Sequence, residues 1–538
     1  MSVDKIRWGT LLTVGFGVAL VIMDATIVNV ALPVVMSDLQ LTGADAQWLN
    51  ASYALTFAAL LVTVGRLGDQ YGRRRLFALG IGIFMVASVF AGSAESAAML
   101  IGARFVQGVG AALVVPSTLS ILNATFTGRA RGIAFAVWGS PIGGMAALGP
   151  LAGGWLATNV SWRWAFWLNI PLGLLILLGI LRAVPESRDP EVQAGTDWIG
   201  AVLSMMGMGA IVFALIEGSW FGWWRQEDGS WSPVPGALAG GLAVMVVFLV
   251  VESRRAGAGR PVIADLGLFR LTTFRAGVVA ALVVAFGEFG LLFTLPLLLQ
   301  GTLGYSALGT GGIIAALALG TFLVSGAIPR ISERLSPRLV VQIGLAFEVI
   351  AVAGLALSLS LDIPVWLVAA WLFLYGAGVG MATAQLTSLL LRDVPAQQSG
   401  QASGLQSSVR QVGSALGVAL LGGLLVGNLA RQTRENLQAL NLDGSQIEAI
   451  TAAVKESAGI HIAALQAPGG EAAIARAAGE AMIHASQLTT GAAAAALALG
   501  LLASFALPRE APKTVGPQTV SPQTTSPATD PSATPDPL

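Results

Sequence analysis

Three acids stand inside otherwise apolar runs of this chain: Asp24 in 8–32, Glu288 in 276–300 and Glu348 in 339–360. A carboxyl group in a partly dry cavity disfavours its charged form, so it can exchange a proton near neutral pH. Arg104 stands in a fourth run, 98–122, and shares one helix face with Gln107, Gly108 and Ala111 at i+3, i+4 and i+7. An arginine in mid-span costs about 3 kcal/mol on insertion scales, so it is expected to face protein and not lipid. Proton exchange is the chemistry these four offer. Each acid could instead be a neutral, hydrogen-bonded structural carboxyl, and Arg104 could bond backbone carbonyls.

Other chemistries find few residues. The chain has no cysteine, hence no disulfide, thiolate metal site or cysteine nucleophile, and its only histidines are His461 and His484. No phosphate-cradling Gly-rich loop ending in Lys-Ser/Thr occurs, nor a metalloprotease or nucleophile-elbow motif. No metal, cofactor or enzymatic activity is expected, and a net charge of zero gives no hint of nucleic acid.

The elements that position these residues must lie in a bilayer. Of 538 residues 55% are hydrophobic and 11% charged, against about 25% charged in soluble domains. Runs of about 20 apolar residues fall at 8–32, 46–66, 77–94, 98–122, 132–157, 164–182, 197–217 and 235–252, then at 276–300, 307–328, 339–360, 363–390, 403–427 and 488–508. That predicts fourteen transmembrane helices. The first is too long for the apolar core of a signal peptide and is expected to stay in the protein.

Arginines in alternate loops orient them: Arg73, Arg74 and Arg75, then Arg129 and Arg131, Arg182 and Arg188, Arg254 to Arg275, Arg330 to Arg338, and Arg392. The short loops of the other side hold only Arg163 and Arg225. The positive-inside rule then puts both termini in the cytoplasm, in a bacterial inner membrane. Residues 428–487 read as a long outer loop with helical stretches at 445–457 and 470–487, and 509–538 as a disordered Pro/Ser/Thr tail.

The chain also repeats itself. Gly65 and Arg73 correspond to Gly326 and Arg334, Gly108 and Gly110 to Gly378 and Gly380, and Gly149 to Gly417, at offsets of 261 to 270. Two six-helix halves related in this way are the plan of a rocking secondary transporter. The predicted organisation is an all-α membrane protein: a first half at 1–195, an extra pair at 196–255, helices of the second half at 256–427 and its last helix at 488–508. Asp24 and Glu288 then sit on equivalent first helices, which line the cavity, whereas Glu348 sits on a third, peripheral one. At the position of Arg104 the second half has Leu374.

Several motifs carry a resemblance. Gly65-Arg-Leu-Gly-Asp69-Gln-Tyr-Gly72-Arg73-Arg74-Arg75 resembles the conserved loop of the major facilitator superfamily. Its glycines permit a tight turn, and Asp69 can meet an arginine or a helix N-terminus across the halves. Gly149-Pro150-x-x-Gly153-Gly154 looks like the antiporter motif of drug-exporting members, with Val418 in place of the proline in the second half. The glycines allow close helix packing, and Pro141 and Pro150 bend the helix; a generic packing kink is the alternative. Asp24-Ala-Thr26-Ile-Val-Asn29 and Trp162-Arg-Trp-Ala-Phe166-Trp-Leu-Asn169 resemble the fourteen-helix drug:proton antiporters, over nearly all of 8–427 and the last helix.

The resemblance implies export of hydrophobic or cationic drugs, antibiotics or biocides by alternating access in exchange for protons. Asp24, Glu288, Arg104 and Glu348 are the expected proton-coupling groups. Gly65, Asp69, Gly72, Arg73, Gly149, Pro150 and Gly153 are the expected gating residues. Asn50, Tyr53, Gln107, Trp138, Phe289, Phe293, Tyr375 and Gln385 are candidates to meet substrate. A monomer among membrane lipids is expected. A metabolite or nutrient carrier of the same fold, and a lipid or envelope-precursor translocator with a lateral opening, are the alternatives.

Overall fold

The computed structural model describes residues 3–507 apart from 42, 189–196, 219–223, 227–228, 396–397, 441 and 467–471. The expected tail at 509–538 lies outside the described residues. So do the side chains of Asn50, Pro141, Gly143 and Pro150, although their backbones continue α2 and α5.

The first half comprises α1 (Val3–Leu39), α2 (Gly43–Tyr71), α3 (Arg73–Gly92), α4 (Ala97–Thr125), α5 (Gly128–Asn159), and the short α6 (Trp164–Trp167) continued by α7 (Asn169–Ala183). Between the halves come α8 (Trp198–Glu217) and α9 (Val234–Gly257), then a 3-10 turn, η1 (Leu266–Arg270). The second half comprises α10 (Thr272–Gly301), α11 (Ala307–Arg334), α12 (Pro337–Ser358), α13 (Val365–Leu390), α14 (Ser399–Gln438) and α17 (Ala472–Ser504). The short α15 (Gly444–Glu456) and α16 (His461–Leu465) join the last two.

Helices are the natural answer to these sequences, because in lipid each backbone polar group must bond within its own segment. Side chains close the ends that need it: Ser96, Asp197, Ser306 and Ser336 accept N–H groups from the first turns of α4, α8, α11 and α12. Between α2 and α3 the chain reverses at Gly72, whose φ of 106° favours a residue without a Cβ.

Among the described residues twelve helical segments are long and apolar enough to cross a membrane. They include every expected span except the second and fifth, which belong to α2 and α5, of 29 and 32 residues. The region 428–487 is less of a loop than its polarity suggests: α14 runs on to Gln438 and α17 begins at Ala472. The helical stretches expected at 445–457 and 470–487 coincide with α15 and the first half of α17.

The internal repeat reappears as repeated close crossings. Gly80 and Gly110 face each other where α3 meets α4, and Gly344 and Gly378 do the same for α12 and α13. A Cβ on any of the four would lie within 2.6–2.9 Å of the opposing carbonyl. Likewise Gly153 fits against the backbone of Ile27 on α1, and Gly413 and Gly417 fit against the backbones of Leu282 and Phe286 on α10. The halves meet through α5 on α11 and α13, and through α14 on α2 and α4. The extra helix α8 packs on α2 and α14, and α9 packs chiefly on α8.

Candidate functional site

In the first half, five helices bring one polar cluster together. Asp24 of α1 is fully buried, and its Oδ2 lies 2.6 Å from Arg104 Nη1 on α4. Its Oδ1 accepts from Gln107 Nε2 at 3.1 Å and from Asn169 Nδ2, on α7, at 2.6 Å. Gln107 Oε1 accepts from Arg104 Nη1 at 3.0 Å, and Ser88 of α3 accepts from both amides while donating to Phe84 O at 2.7 Å. Arg104 Nε donates to Leu49 O at 3.3 Å, and its guanidinium lies 4.3 Å above the Tyr53 ring centroid. A buried ion pair offsets its desolvation only if the remaining lone pairs and protons are bonded. Here both Asp24 oxygens and the Nε and Nη1 groups of Arg104 are bonded.

The counterpart in the second half is sparser. Glu288 of α10 faces Arg410 of α14, Oε2 to Nη2, at 3.3 Å. Beside them is a cavity of about 20 Å³ lined also by Thr383, Thr387 and Gln406, room for about one water. Glu348 of α12 and Tyr375 of α13 are buried near enough to feel the charges of Glu288 and Arg410. Neither Glu348 oxygen nor the Tyr375 hydroxyl has a hydrogen-bond partner among the described residues.

Of the expected gating residues, Gly65, Asp69, Gly72 and Arg73 lie where α2 approaches α14 and turns into α3, whereas Gly149 and Gly153 lie where α5 crosses α1. Asp69, buried at the end of α2, accepts from Arg73 Nη2 at 2.7 Å and from the backbone N–H groups of Gly400 and Gln401 at 2.9 and 3.1 Å. It therefore caps the positive end of α14 while paired with an arginine of its own half. The approach depends on glycine: Cβ atoms at Gly65 and Gly404 would lie 3.1 Å from Gly404 Cα and 2.8 Å from Leu61 O. Asn123, Ser399, Arg131 and Arg392 continue the seam, and Gln385 Nε2 donates to Gly132 O at 3.4 Å. At the opposite end of the first half, Asp38 accepts from Trp162 Nε1 and Arg163 Nη1, both at 2.8 Å. These two donors hold its carboxyl below the usual aspartate range.

Of the candidates to meet substrate, Tyr53 and Gln107 belong to the Asp24 cluster, and Tyr375 lies beside Glu348. Trp138 is buried and spends its ring N–H on Thr118 Oγ1 at 3.1 Å, and Gln385 belongs to the seam. Phe289 is half-buried and Phe293 exposed. None of the expected substrate residues lines the apolar groove of about 480 Å³ between α2 and α8, formed by Leu55, Ala59, Met205, Met206, Phe213 and neighbours. Sequence reasoning missed Arg410, Ser88 and the role of Asn169. Arg410 was findable by the rule applied to Arg104, a cation inside an apolar run.

A family model described as Major Facilitator Superfamily matches residues 14–197 and 196–418. The chain belongs to the Major Facilitator Superfamily. This facilitator is 36% identical over 473 residues to the puromycin resistance protein pur8 of Streptomyces alboniger, covering 85% of this chain and 90% of the relative. It is 32% identical over 419 residues to the tetracenomycin C resistance and export protein of Streptomyces glaucescens, covering 78% and 76%. Among solved structures, the human organic anion transporter MFSD10 (TETRAN) superposes with a TM-score of 0.61 at 15% identity, covering 92% of this chain and 99% of that one. The facilitator is thus a multi-pass membrane protein of the superfamily's all-helical fold.

Proposed function

We propose that this facilitator exports small hydrophobic or cationic organic molecules, antibiotics among them, in exchange for protons. Names of relatives such as the puromycin and tetracenomycin C proteins support the substrate class. The observation that carries proton coupling is the Asp24–Arg104 pair, a buried carboxylate whose three donors all come from side chains of other helices. Protonation removes the charge that holds Arg104, Gln107 and Asn169 on one point, so proton uptake and helix packing are linked. Glu288 with Arg410, and Glu348 near them, form the second station. The α2–α14 seam around Asp69 is the gate, and its closure leaves access from the Asp38 end.

In this reading α2 and α5 also cross the bilayer, giving fourteen spans in a bacterial inner membrane, with cytoplasmic termini and a monomeric carrier. The domain boundaries expected from sequence, 1–195, 196–255 and 256–508, follow from the same reading.

Efflux from proteoliposomes, with and without an imposed pH gradient, tests the coupling. Asp24→Asn and Glu288→Gln should each abolish gradient-driven accumulation while substrate exchange at equal concentrations survives. Wild-type response to the gradient in both single variants and the double variant would refute it. The apolar groove between α2 and α8 favours one second reading, translocation of lipids or envelope precursors. Movement of a fluorescent phospholipid in the same vesicles would support that instead.

A further inference from the structure

The helices between the halves, α8 and α9, take no part in either station, yet they bury an acidic pair. Asp197 caps α8 with Oδ1, accepting Gly200 N–H at 2.8 Å. Glu252, near the end of α9, accepts Ala264 N–H on Oε2 at 2.9 Å. Both are buried, at 2% and 0% exposure. Their other oxygens converge over Gly200, where an added Cβ would touch both, so the two carboxyl groups are close neighbours. Glu252 Oε1 has no donor among the described residues, and Asp197 Oδ2 has the ion-pair contact of Arg255 Nε at 2.9 Å.

Two ionised carboxylates can only accept, so this contact needs a proton. One guanidinium balances one carboxylate. A second charge in the same buried space has nothing to compensate it. Among the described residues the charged side chains at this point are Asp197, with Arg255 paired to it, and the turn at 263–265 meets Glu252 with the Ala264 N–H while the Asp265 carboxyl accepts from Gly267 and Gln398. Among the described residues no third acidic, histidine or cysteine side chain joins the pair to hold a metal ion, so the ligand that fits is a proton.

The pair is also wired to the gate. Ala264, held by Glu252, is followed by Asp265, which donates its N–H to Gln401 Oε1 at 2.9 Å and accepts from Gln398 Nε2 at 3.1 Å. Gln398 and Gln401 flank Gly400, and the N–H groups of Gly400 and Gln401 are the ones Asp69 caps. An unbroken series of hydrogen bonds thus runs from α9, through one turn, to the seam of the two halves.

We propose that Asp197 and Glu252 form a proton-binding site, separate from the central acids, whose occupancy fastens the α8–α9 pair to the Asp69 latch. With the proton bound, Glu252 donates to Asp197 and keeps its other oxygen on Ala264. Without it, repulsion drives the carboxylates apart, Ala264 is released, and the Asp265 turn loosens from α14. The assignment of a gate to Asp69 rests on the transport reading; the proton site itself does not.

The cysteine-free chain allows a direct test. Spin labels at Arg75→Cys on α3 and Arg270→Cys on η1, both exposed positions, report the distance across the latch in the full-length protein. Raising the pH should broaden and lengthen the wild-type distribution. Glu252→Gln can still donate to Asp197 but cannot lose a proton, so it should abolish that shift and keep the low-pH distribution. Asp197→Asn removes the like charge and should abolish it too, which covers the case of one variant folding poorly. Glu288→Gln should leave the shift intact. A wild type without a shift, a shift unchanged in both pair variants, or its loss in Glu288→Gln would each overturn the proposal. Should gradient-driven efflux fail while the shift still depends on Glu252, the proton site stands and the transport reading falls.

Discussion

A double-mutant cycle on Asp24 and Arg104 measures what the first-half cluster contributes as a unit. Asp24→Asn keeps one acceptor, which can stay on Arg104, but turns the other oxygen into a donor facing Gln107 and Asn169. Asn169 can turn its amide over, because its Oδ1 has no partner. Gln107 cannot, since its Oε1 accepts from Arg104 Nη1 and its Nε2 donates to Ser88 Oγ. Removing one partner of a buried pair costs about 3–5 kcal/mol, and the retained neutral hydrogen bond returns about 1 kcal/mol. Asp24→Asn should therefore destabilise by about 2–4 kcal/mol, and Arg104→Gln by a similar amount. The double variant leaves a neutral polar cluster with no orphaned charge, so its loss should fall short of the sum by about 2 kcal/mol. Unfolding in detergent, followed by tryptophan fluorescence, gives all four corners of the cycle. Additivity within about 0.5 kcal/mol would mean that the pair does not act as a unit, and would remove the link between protonation and packing.

Gly149→Ala should cost about 1–3 kcal/mol by overpacking, because its Cβ would land on the Thr26 side chain; Thr26→Ala should restore part of the loss of stability and of efflux, and an unchanged melting curve for Gly149→Ala would contradict the close α1–α5 crossing. Single cysteines at Gln40, Arg75 and Gly444 should react with an impermeant maleimide from outside, inside and outside respectively, and equal reactivity of any neighbouring two from one side would remove α2 or α5 from the count of spans.

Much of this molecule could be read from its residues because the membrane leaves so few solutions. Apolar run length located the helices, and Gly65, Asp69 and Arg73 stood out because loops need no spaced glycines. The partners of the acids were harder to see. Asn169 and Ser88 are neutral and small, and nothing in the spacing of one helix says which residue of another will face it. Arg410 breaks an apolar run as Arg104 does, but it stands among Gln406, Ser407, Ser408 and Gln411, which make that stretch read as a polar helix start. Glu252 and Asp197 lay at span ends, where charges ordinarily meet water; the turn at 263–265, which bonds Glu252, is visible only in the fold. The region 428–487 misled in a different way, its polarity marking the end of an apolar run and not the end of the helix.

That last feature has a mechanical consequence. At about 1.5 Å per residue, the 40 residues of α14 make a rod of about 60 Å, twice the depth of the hydrocarbon. Its C-terminal part is braced by Leu437, Ile447, Ile474 and Ala477, and by Asn436 bonded to Ala477 O at 2.9 Å. The N-terminal end of the same rod carries the N–H groups that Asp69 holds. Under the proposed gating, a tilt of a few degrees at that end would be carried along the shaft to α15. A small antibody fragment clasping α15 would then act as a pointer at the far end of the rod, turning the state of the proposed gate into a displacement that can be watched, or halted, from there.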